Sequence, residues 1–157
     1  MKVKYYDLEN KRVFITGGGS GIGASIVEHF CEQGSEVYFI DINEDESKKL
    51  IEDIKNKNYS LPTFIKCDLL NIKELQKTIA DIISNKGPID ILINNAANDT
   101  RHKIDDVTEE YWNERINVNL RHFFFTVQSV KKSMIDNGGG AIINMGSTSW
   151  MVGQGGM

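Results

Sequence analysis

Short apolar runs alternate with longer amphipathic stretches along most of this chain. Several of the runs are apolar on both faces and rich in Ile, Val or Phe, which is typical of parallel strands that helices cover on both sides. This alternation predicts an α/β domain built as a doubly wound parallel sheet with right-handed crossovers. The predicted strands are residues 12–16, 36–41, 63–66, 89–93 and 141–145.

The amphipathic stretches between the runs have helical periodicity. Asn43 with Glu46, and Asn71 with Glu74, have the spacing of helix N-caps. In the last stretch, the apolar residues of segment 112–134 recur at intervals of three and four. Such spacing predicts one continuous helical face packed in the core. The predicted helices are residues 22–33, 44–56, 72–84 and 109–135.

Composition and charge narrow the class of protein. The length of 157 residues suits one domain, and the formal net charge of -4, without a basic stripe, argues against a nucleic-acid partner. Cys31 and Cys67 belong to no metal-binding spacing, so we predict reduced thiols and no metal site. The N-terminus lacks an apolar signal segment and no run reaches membrane-spanning length. We therefore expect a cytoplasmic protein with no membrane partner.

The most informative motif is the glycine-rich segment TGGGSGIG at residues 16–23, which follows an apolar run and precedes an amphipathic one. Strand, glycine turn and helix in this order place the pyrophosphate of a dinucleotide at a helix N-terminus, where unpaired N–H groups and the helix dipole favour negative charge. An ordinary glycine-rich turn is the alternative, and the context on both sides favours the cofactor site. The predicted contacts are Gly17, Gly19, Ser20, Gly21, Ile22 and Gly23.

Polar residues also follow the other predicted strands. Asp41 lies where a carboxylate binds the ribose hydroxyls of adenosine and would repel the 2′-phosphate of NADP, so the predicted cofactor is NAD. A solvated acid at a strand end is the alternative for Asp41. Asp68 could accept from an adenine amino group, although spacing alone favours a turn at a helix entry. Residues 94–97 (NNAA) and Ser147 follow the fourth and fifth strands, at the edge where ligands bind.

These strand-end residues, with the glycine segment, NVNL at 117–120 and NMGS at 144–147, resemble in order and spacing the short-chain dehydrogenase/reductase family. The resemblance runs from about residue 8 to the end. The chain departs from the usual pattern at Ala97, where glycine is common, and at Gly146, where serine is common. The resemblance implies a Rossmann-type sheet with strand order 3-2-1-4-5, NAD-dependent hydride transfer between an alcohol and a carbonyl, and a homodimer or homotetramer.

The resemblance also implies roles for individual residues. The glycine segment would hold the pyrophosphate and Asp41 the adenosine ribose. Ser147 would hydrogen-bond the reacting oxygen, and Asn119 would help to hold a water in a proton relay. The family's catalytic Tyr-x-x-x-Lys pair would follow Met157, so a dinucleotide-binding domain over 1–157 would be incomplete at its C-terminus and inactive alone. Further implied cofactor contacts are Asp68 and Leu69 at the adenine, and Asn95 and Ala96 at the nicotinamide-side ribose.

A narrower resemblance is carried by NNAANDTRH at 94–102, NVNLRHFFF at 117–125 and GSTSW at 146–150. These segments look like those of bacterial sugar 1-dehydrogenases acting on D-xylose, L-arabinose or D-galactose. This resemblance implies oxidation of a sugar at the anomeric carbon to a lactone. His122, in the second segment, falls on a predicted helix, and we expect it to be structural or to lie at a subunit contact.

The loop after the fourth strand is the predicted substrate site. Asn98, Arg101 and His102 offer donors and acceptors suited to sugar hydroxyls. The alternative is that Arg101 and His102 pair with Asp105 or Asp106 in a purely structural loop. Two other functions stay open for the chain. One is a 3-oxoacyl-thioester reductase of the same family, which usually prefers NADPH, and the other is a nucleotide-binding module without turnover.

Overall fold

The computed structural model describes residues 3–149 and 151–153. Five parallel strands form one sheet in the order β3-β2-β1-β4-β5, so the predicted order is confirmed. In the central ladder Phe14 pairs with Tyr38 on one side and with Leu92 on the other. The strands are β1 (Arg12–Thr16), β2 (Glu36–Asp41), β3 (Thr63–Lys66), β4 (Ile91–Asn94) and β5 (Ala141–Asn144).

The first three strands have the predicted bounds, whereas the last two differ. The prediction of 89–93 for β4 began two residues too early. Ile89 is buried but lies outside the ladder. At this point the backbone N–H of Arg12 donates to the side chain of Asp90, at 2.8 Å, and not to a strand carbonyl. Regular pairing with β1 begins at Ile91. The fifth strand ends one residue earlier than predicted.

Side-chain caps define where the second and third helices begin. Asn43 accepts from the backbone N–H of Glu46 at 3.2 Å, and Asn71 accepts from that of Glu74 at 3.2 Å. Both predicted caps are confirmed. The helices are α1 (Gly21–Glu32), α2 (Glu44–Asn56), α3 (Ile72–Lys86), α4 (Glu109–Ile116) and α5 (His122–Asp136).

The long helix predicted over 109–135 is interrupted by a π-helical segment, Asn117–Arg121, between α4 and α5. The prediction of one continuous buried face is therefore wrong in its first half. Trp112 and Leu120 are 61% and 58% exposed, whereas Met134 in α5 is 4% exposed. A π turn holds more residues than an α turn, so it rotates the apolar positions of α4 away from those of α5.

Apolar side chains pack on both faces of the sheet. Phe14 joins a cluster with residues of α3 and α5, while Val13 and Ile15 join a cluster with residues of α1 and α2. Successive residues of β1 thus face opposite layers, as in a sheet covered on both sides. At the end of the sheet, Ile142 and Ile143 of β5 are 40% and 45% exposed.

Two further predictions concern the cysteines and membrane spans. Cys31 and Cys67 are buried free thiols, and burial raises their pKa to about 12 and about 11. Both are thus protonated and poorly nucleophilic near neutral pH. Within residues 3–149 and 151–153, no helix combines the length and the apolar character that crossing a bilayer requires.

Candidate functional site

The glycine segment forms the turn from β1 into α1 at the carboxyl end of the sheet. Gly17 and Gly21 have φ of 65° and 54°, the left-handed region that favours glycine. The backbone N–H groups of Gly17 and Gly18 donate to the Ile40 carbonyl of β2 at 2.8 and 3.2 Å. The turn is therefore fixed against the neighbouring strand.

Gly23 lies directly under this turn. A Cβ at Gly23 would meet the Gly17 carbonyl oxygen at 1.8 Å and the Asn95 amide nitrogen at 2.6 Å. The same amide donates to the carbonyls of Thr16 and Gly17 at 3.2 and 2.9 Å. The structure thus brings together three predicted cofactor residues, Gly17, Gly23 and Asn95, and the Gly17 backbone and the Asn95 side chain leave no room for a larger residue at position 23.

The N-terminus of α1 differs from those of the other helices that begin from a loop. Ser20 occupies the N-cap position with extended backbone, but its side chain makes no capping bond. Side chains of Asn43, Asn71 and Thr108 cap α2, α3 and α4. The first N–H groups of α1 therefore lack the side-chain acceptor that α2, α3 and α4 have, and an anion can take that place.

Asp41 at the end of β2 holds the glycine turn through its carboxylate. One oxygen accepts from Gly19 N at 2.8 Å and the other from Asn43 N at 2.9 Å. A carboxylate accepts about four hydrogen bonds, so ribose hydroxyls can still bind. Lys66 is paired with Asp41 in the strand register, but its ammonium group donates to Glu44 at 3.3 Å.

Asp68 and Leu69 follow β3. The Asp68 side chain accepts from Leu70 N at 2.9 Å, and its carbonyl accepts from Asn71 N at 2.9 Å. Asp68 thus stabilises the turn at the entry to α3, as the alternative interpretation expected. Its contact with adenine stays a prediction. Leu69 is 9% exposed and packs in the core. Any contact of Leu69 with a nucleotide would therefore come mainly from its backbone.

A buried hydrogen-bond chain behind the glycine turn was not predicted from the sequence. The Thr16 hydroxyl oxygen accepts from the backbone N–H groups of Asn95 and Ala96 at 3.0 and 3.1 Å. It lies 3.3 Å from Nε2 of His122, whose Nδ1 lies 2.7 Å from the Val118 carbonyl. Because a carbonyl only accepts, Nδ1 carries the proton and Nε2 accepts from Thr16.

His122 is therefore a structural residue, as one of the two interpretations expected. Its side chain is 0% exposed, which excludes a subunit contact. Burial lowers the pKa of His122 to about 4, against the opposing effect of the bond to the Val118 carbonyl. The neutral ring joins the end of β1 to the π-helical segment.

A second hydrogen-bond chain links the ends of β4 and β5 and runs from buried Thr126 and Asn94 to exposed Asn144. The Thr126 hydroxyl donates to the side-chain oxygen of Asn94 at 2.8 Å, and the Asn94 amide donates to the Asn144 side chain at 2.8 Å. Beyond β5, the Ser147 hydroxyl donates to that of Ser149 at 2.8 Å and accepts the Ser149 N–H at 3.1 Å. The predicted catalytic serine is exposed at the same edge of the sheet as the glycine turn.

Asn119 and Asn98 are brought together, which the sequence did not indicate. The Asn119 side chain accepts from Asn98 N at 2.7 Å and donates to the Asn98 carbonyl at 3.0 Å. Both ends of its amide are thus bound to the start of the loop after β4. The water-holding role of Asn119 remains a prediction, and these two bonds leave one N–H and one oxygen lone pair of its amide for it.

The structure corrects the proposed clasp in the loop after β4. His102 contacts Tyr111, with Nδ1 3.0 Å from the phenolic oxygen. Within the described residues, neither His102 nor Arg101 forms an ion pair with Asp105 or Asp106. The loop is instead held by aromatic and hydrogen-bond contacts to α4.

The described residues contain no group of three metal-ligating side chains, and Trp150 of the sugar-dehydrogenase motif lies outside them.

Comparison with known proteins agrees with this geometry. Residues 11–157 match the family model for short chain dehydrogenase, and the chain belongs to that family. It is 48% identical to D-xylose 1-dehydrogenase of Caulobacter vibrioides and 40% identical to "Probable galactose dehydrogenase GalD" of Rhizobium meliloti. Each of these matches covers 95% of this chain and 58% of the relative. The chain thus spans about three fifths of their length.

The fold is also shared with solved structures. One is the ligand-free aldohexose dehydrogenase of Thermoplasma acidophilum, with a TM-score of 0.79 and 28% sequence identity. The match covers 92% of this chain and 52% of that structure. The similarity confirms the Rossmann-type sheet that the order of strands defines.

Proposed function

We propose that the protein is an NAD-dependent oxidoreductase that oxidises a sugar at its anomeric carbon to the lactone. The glycine turn and the start of α1 would hold the pyrophosphate, Asp41 the adenosine ribose, and Asn95 and Ala96 the nicotinamide-side ribose. The cofactor, when bound, accepts the hydride. The matches to D-xylose 1-dehydrogenase and to the probable galactose dehydrogenase support the substrate class. They are 48% and 40% identical to this chain, and each covers 95% of it.

The observation that carries this proposal is the helix N-terminus of α1 without a side-chain cap, beside a turn fixed by Asp41. Backbone N–H groups and the positive end of the helix dipole suit a pyrophosphate. The carboxylate beside Gly19 and the neutral side chains of Ser20 and Asn43 offer no charge for a 2′-phosphate. This electrostatic environment favours NAD, and it weighs against the thioester reductase that uses NADPH.

For the chemical step, Ser147 would donate a hydrogen bond to the reacting oxygen and stabilise the charge that develops there. Asn98, Arg101 and His102 would bind the remaining sugar hydroxyls. The sequence has no tyrosine after Tyr111, so the proton acceptor that the family takes from a Tyr-x-x-x-Lys pair is not among these 157 residues. The activity is therefore proposed for a protein that includes such a pair, and the 157 residues alone would bind nucleotide without turnover. We further propose a cytoplasmic homodimer or homotetramer.

We expect Asp41→Ala to weaken NAD binding and to reduce the preference for NAD over NADP. Loss of a charged acceptor for the ribose hydroxyls costs about 1.5–3 kcal/mol, or roughly 10- to 150-fold in Kd. Calorimetric titration with each nucleotide measures both effects. Asp53→Ala, the same change at an exposed site on α2, is the control and should leave both affinities unchanged. Equal losses for NAD and NADP would indicate a disturbed turn and contradict the ribose contact.

The substrate proposal is tested with the whole protein and a panel of aldoses and acyl thioesters, followed by absorbance of the reduced nucleotide. We expect NAD reduction with D-xylose, L-arabinose or D-galactose, and no reaction with acetoacetyl thioesters. Ser147→Ala should lower kcat about 100-fold or more, the usual cost of losing one donor to a developing oxyanion. Turnover of thioesters alone, with NADPH, would overturn the proposal in favour of the reductase.

A further inference from the structure

Tyr111 of α4 makes three contacts that together fix the end of the substrate loop. Its hydroxyl lies 3.1 Å from the Thr100 carbonyl oxygen and 3.0 Å from Nδ1 of His102. Its ring packs edge-on against the His102 imidazole, with centroids 5.1 Å apart. The guanidinium carbon of Arg115 lies 4.6 Å from the ring centroid, an attractive cation–π contact. Tyr111 is therefore held in place through both its hydroxyl and its ring.

These contacts decide where the proton lies. A phenol has one proton to donate, and the Thr100 carbonyl can only accept, so the phenol proton points to Thr100. The phenol oxygen must then accept from His102, and Nδ1 of the imidazole carries the proton. The opposite arrangement, with the phenol donating to Nδ1, would leave two oxygen lone pairs facing each other at 3.1 Å.

We propose that Tyr111 is a positioning residue that holds His102 in the Nδ1–H tautomer, so that Nε2 is an acceptor for a hydroxyl group of the substrate. The inference rests on the proposed function. His102 is half-buried, and Nε2 has no hydrogen-bond partner among the residues that the structure describes. A neutral imidazole with a protonated Nδ1 can only accept at Nε2.

Arg101 and His102 are adjacent in the loop, and together they define the kind of substrate group that can bind there. The Arg101 guanidinium only donates, whereas Nε2 of His102 only accepts. A hydroxyl group can satisfy either partner, so a polyol presents the right chemistry to both. A carbonyl or ether oxygen can bind Arg101 but has no proton for Nε2. The loop therefore selects for hydroxyl-bearing carbons beyond the one that reacts.

The test is a long-range nitrogen–proton NMR spectrum of protein labelled with nitrogen-15 in histidine, recorded on the high-pH plateau of the imidazole titration. His102→Gln identifies the His102 signals. We expect the Nδ1–H pattern in the unmodified protein and a shift toward Nε2–H in Tyr111→Phe, which keeps the ring and removes the hydroxyl. Tyr6→Phe, at a tyrosine that is 79% exposed, should leave the pattern unchanged.

Two histidines serve as internal references in the same spectra. Nδ1 of His29 and Nδ1 of His122 each lie 2.7 Å from a backbone carbonyl, of Ser25 and Val118, so both should keep the Nδ1–H pattern in Tyr111→Phe. A His102 signal with the Nε2–H pattern in the unmodified protein, or one that Tyr111→Phe does not alter, would overturn the inference whatever the substrate is.

Addition of NAD and then D-xylose tests the second part. We expect the Nε2 resonance of His102 to move when the sugar binds, and to move less in Tyr111→Phe. In a second sample labelled uniformly with nitrogen-15, movement of the Asn98 and Ser147 amide signals without movement of Nε2 would contradict the acceptor role and leave the proposed function intact. If D-xylose, L-arabinose and D-galactose move none of these signals while NAD binds, the sugar function fails, and the acceptor role fails with it.

Discussion

We expect Gly23→Ala to lower the free energy of unfolding and to abolish nucleotide binding. Helix propensity alone predicts the opposite, because alanine is about 1 kcal/mol better than glycine inside a helix. The new Cβ, however, would lie 1.8 Å from the Gly17 carbonyl oxygen, and backbone cannot rotate away as a side chain can. Overpacking of this kind costs about 3 kcal/mol at the upper end of its usual range. Urea unfolding and calorimetric titration with NAD measure the two effects.

The matched control is Gly146→Ala. A Cβ at Gly146 would meet nothing within 4 Å, and its φ is not positive, so we expect its unfolding curve to match that of the unmodified protein. The two variants add the same methyl group, but only position 23 is crowded, and only there does helix propensity by itself favour alanine. A Gly23→Ala protein as stable as the control, with NAD affinity intact, would show that the close approach of α1 to the glycine turn is not required.

Much of the fold could be predicted because it depends on local patterns. The strands of the core are buried on both faces, and the caps at Asn43 and Asn71 lie three residues from the N–H groups they accept. The π-helical segment Asn117–Arg121 was missed, because apolar residues keep their spacing of three and four through it. The spacing of apolar residues in a sequence therefore does not reveal that one turn of the helix is wider than the others.

The candidate site could be predicted only where a single segment contains the information. The glycine turn and Asp41 follow from backbone freedom and from the position of a carboxylate after a strand. The partners of Thr16 could not be predicted, because they lie 79, 80 and 106 residues away along the chain. Pairing at such distances depends on the register of β1 with β4 and on the packing of α5.

Acidification should destabilise the protein through His122. In the folded state burial lowers its pKa to about 4, and in the unfolded state it returns to about 6.5. Between these values the unfolded chain binds a proton that the folded protein does not, so stability is fully present above pH 6.5 and is lost as the pH falls toward 4. The loss attributable to this residue is about 3 kcal/mol. Urea unfolding at intervals between pH 4 and pH 8 measures it.

His122→Gln separates this effect from the titration of the carboxylates, because glutamine stays neutral throughout. At pH 8 we expect the variant to be less stable by about 2 kcal/mol, since the Thr16 hydroxyl loses its buried acceptor. Its stability should then fall less steeply on acidification, and the two curves should cross at about pH 5, where the loss from His122 reaches about 2 kcal/mol. His29→Gln, on the exposed side of α1, should keep the slope of the unmodified protein. Parallel curves for the unmodified protein and His122→Gln would contradict a neutral, buried His122 that joins β1 to the π-helical segment.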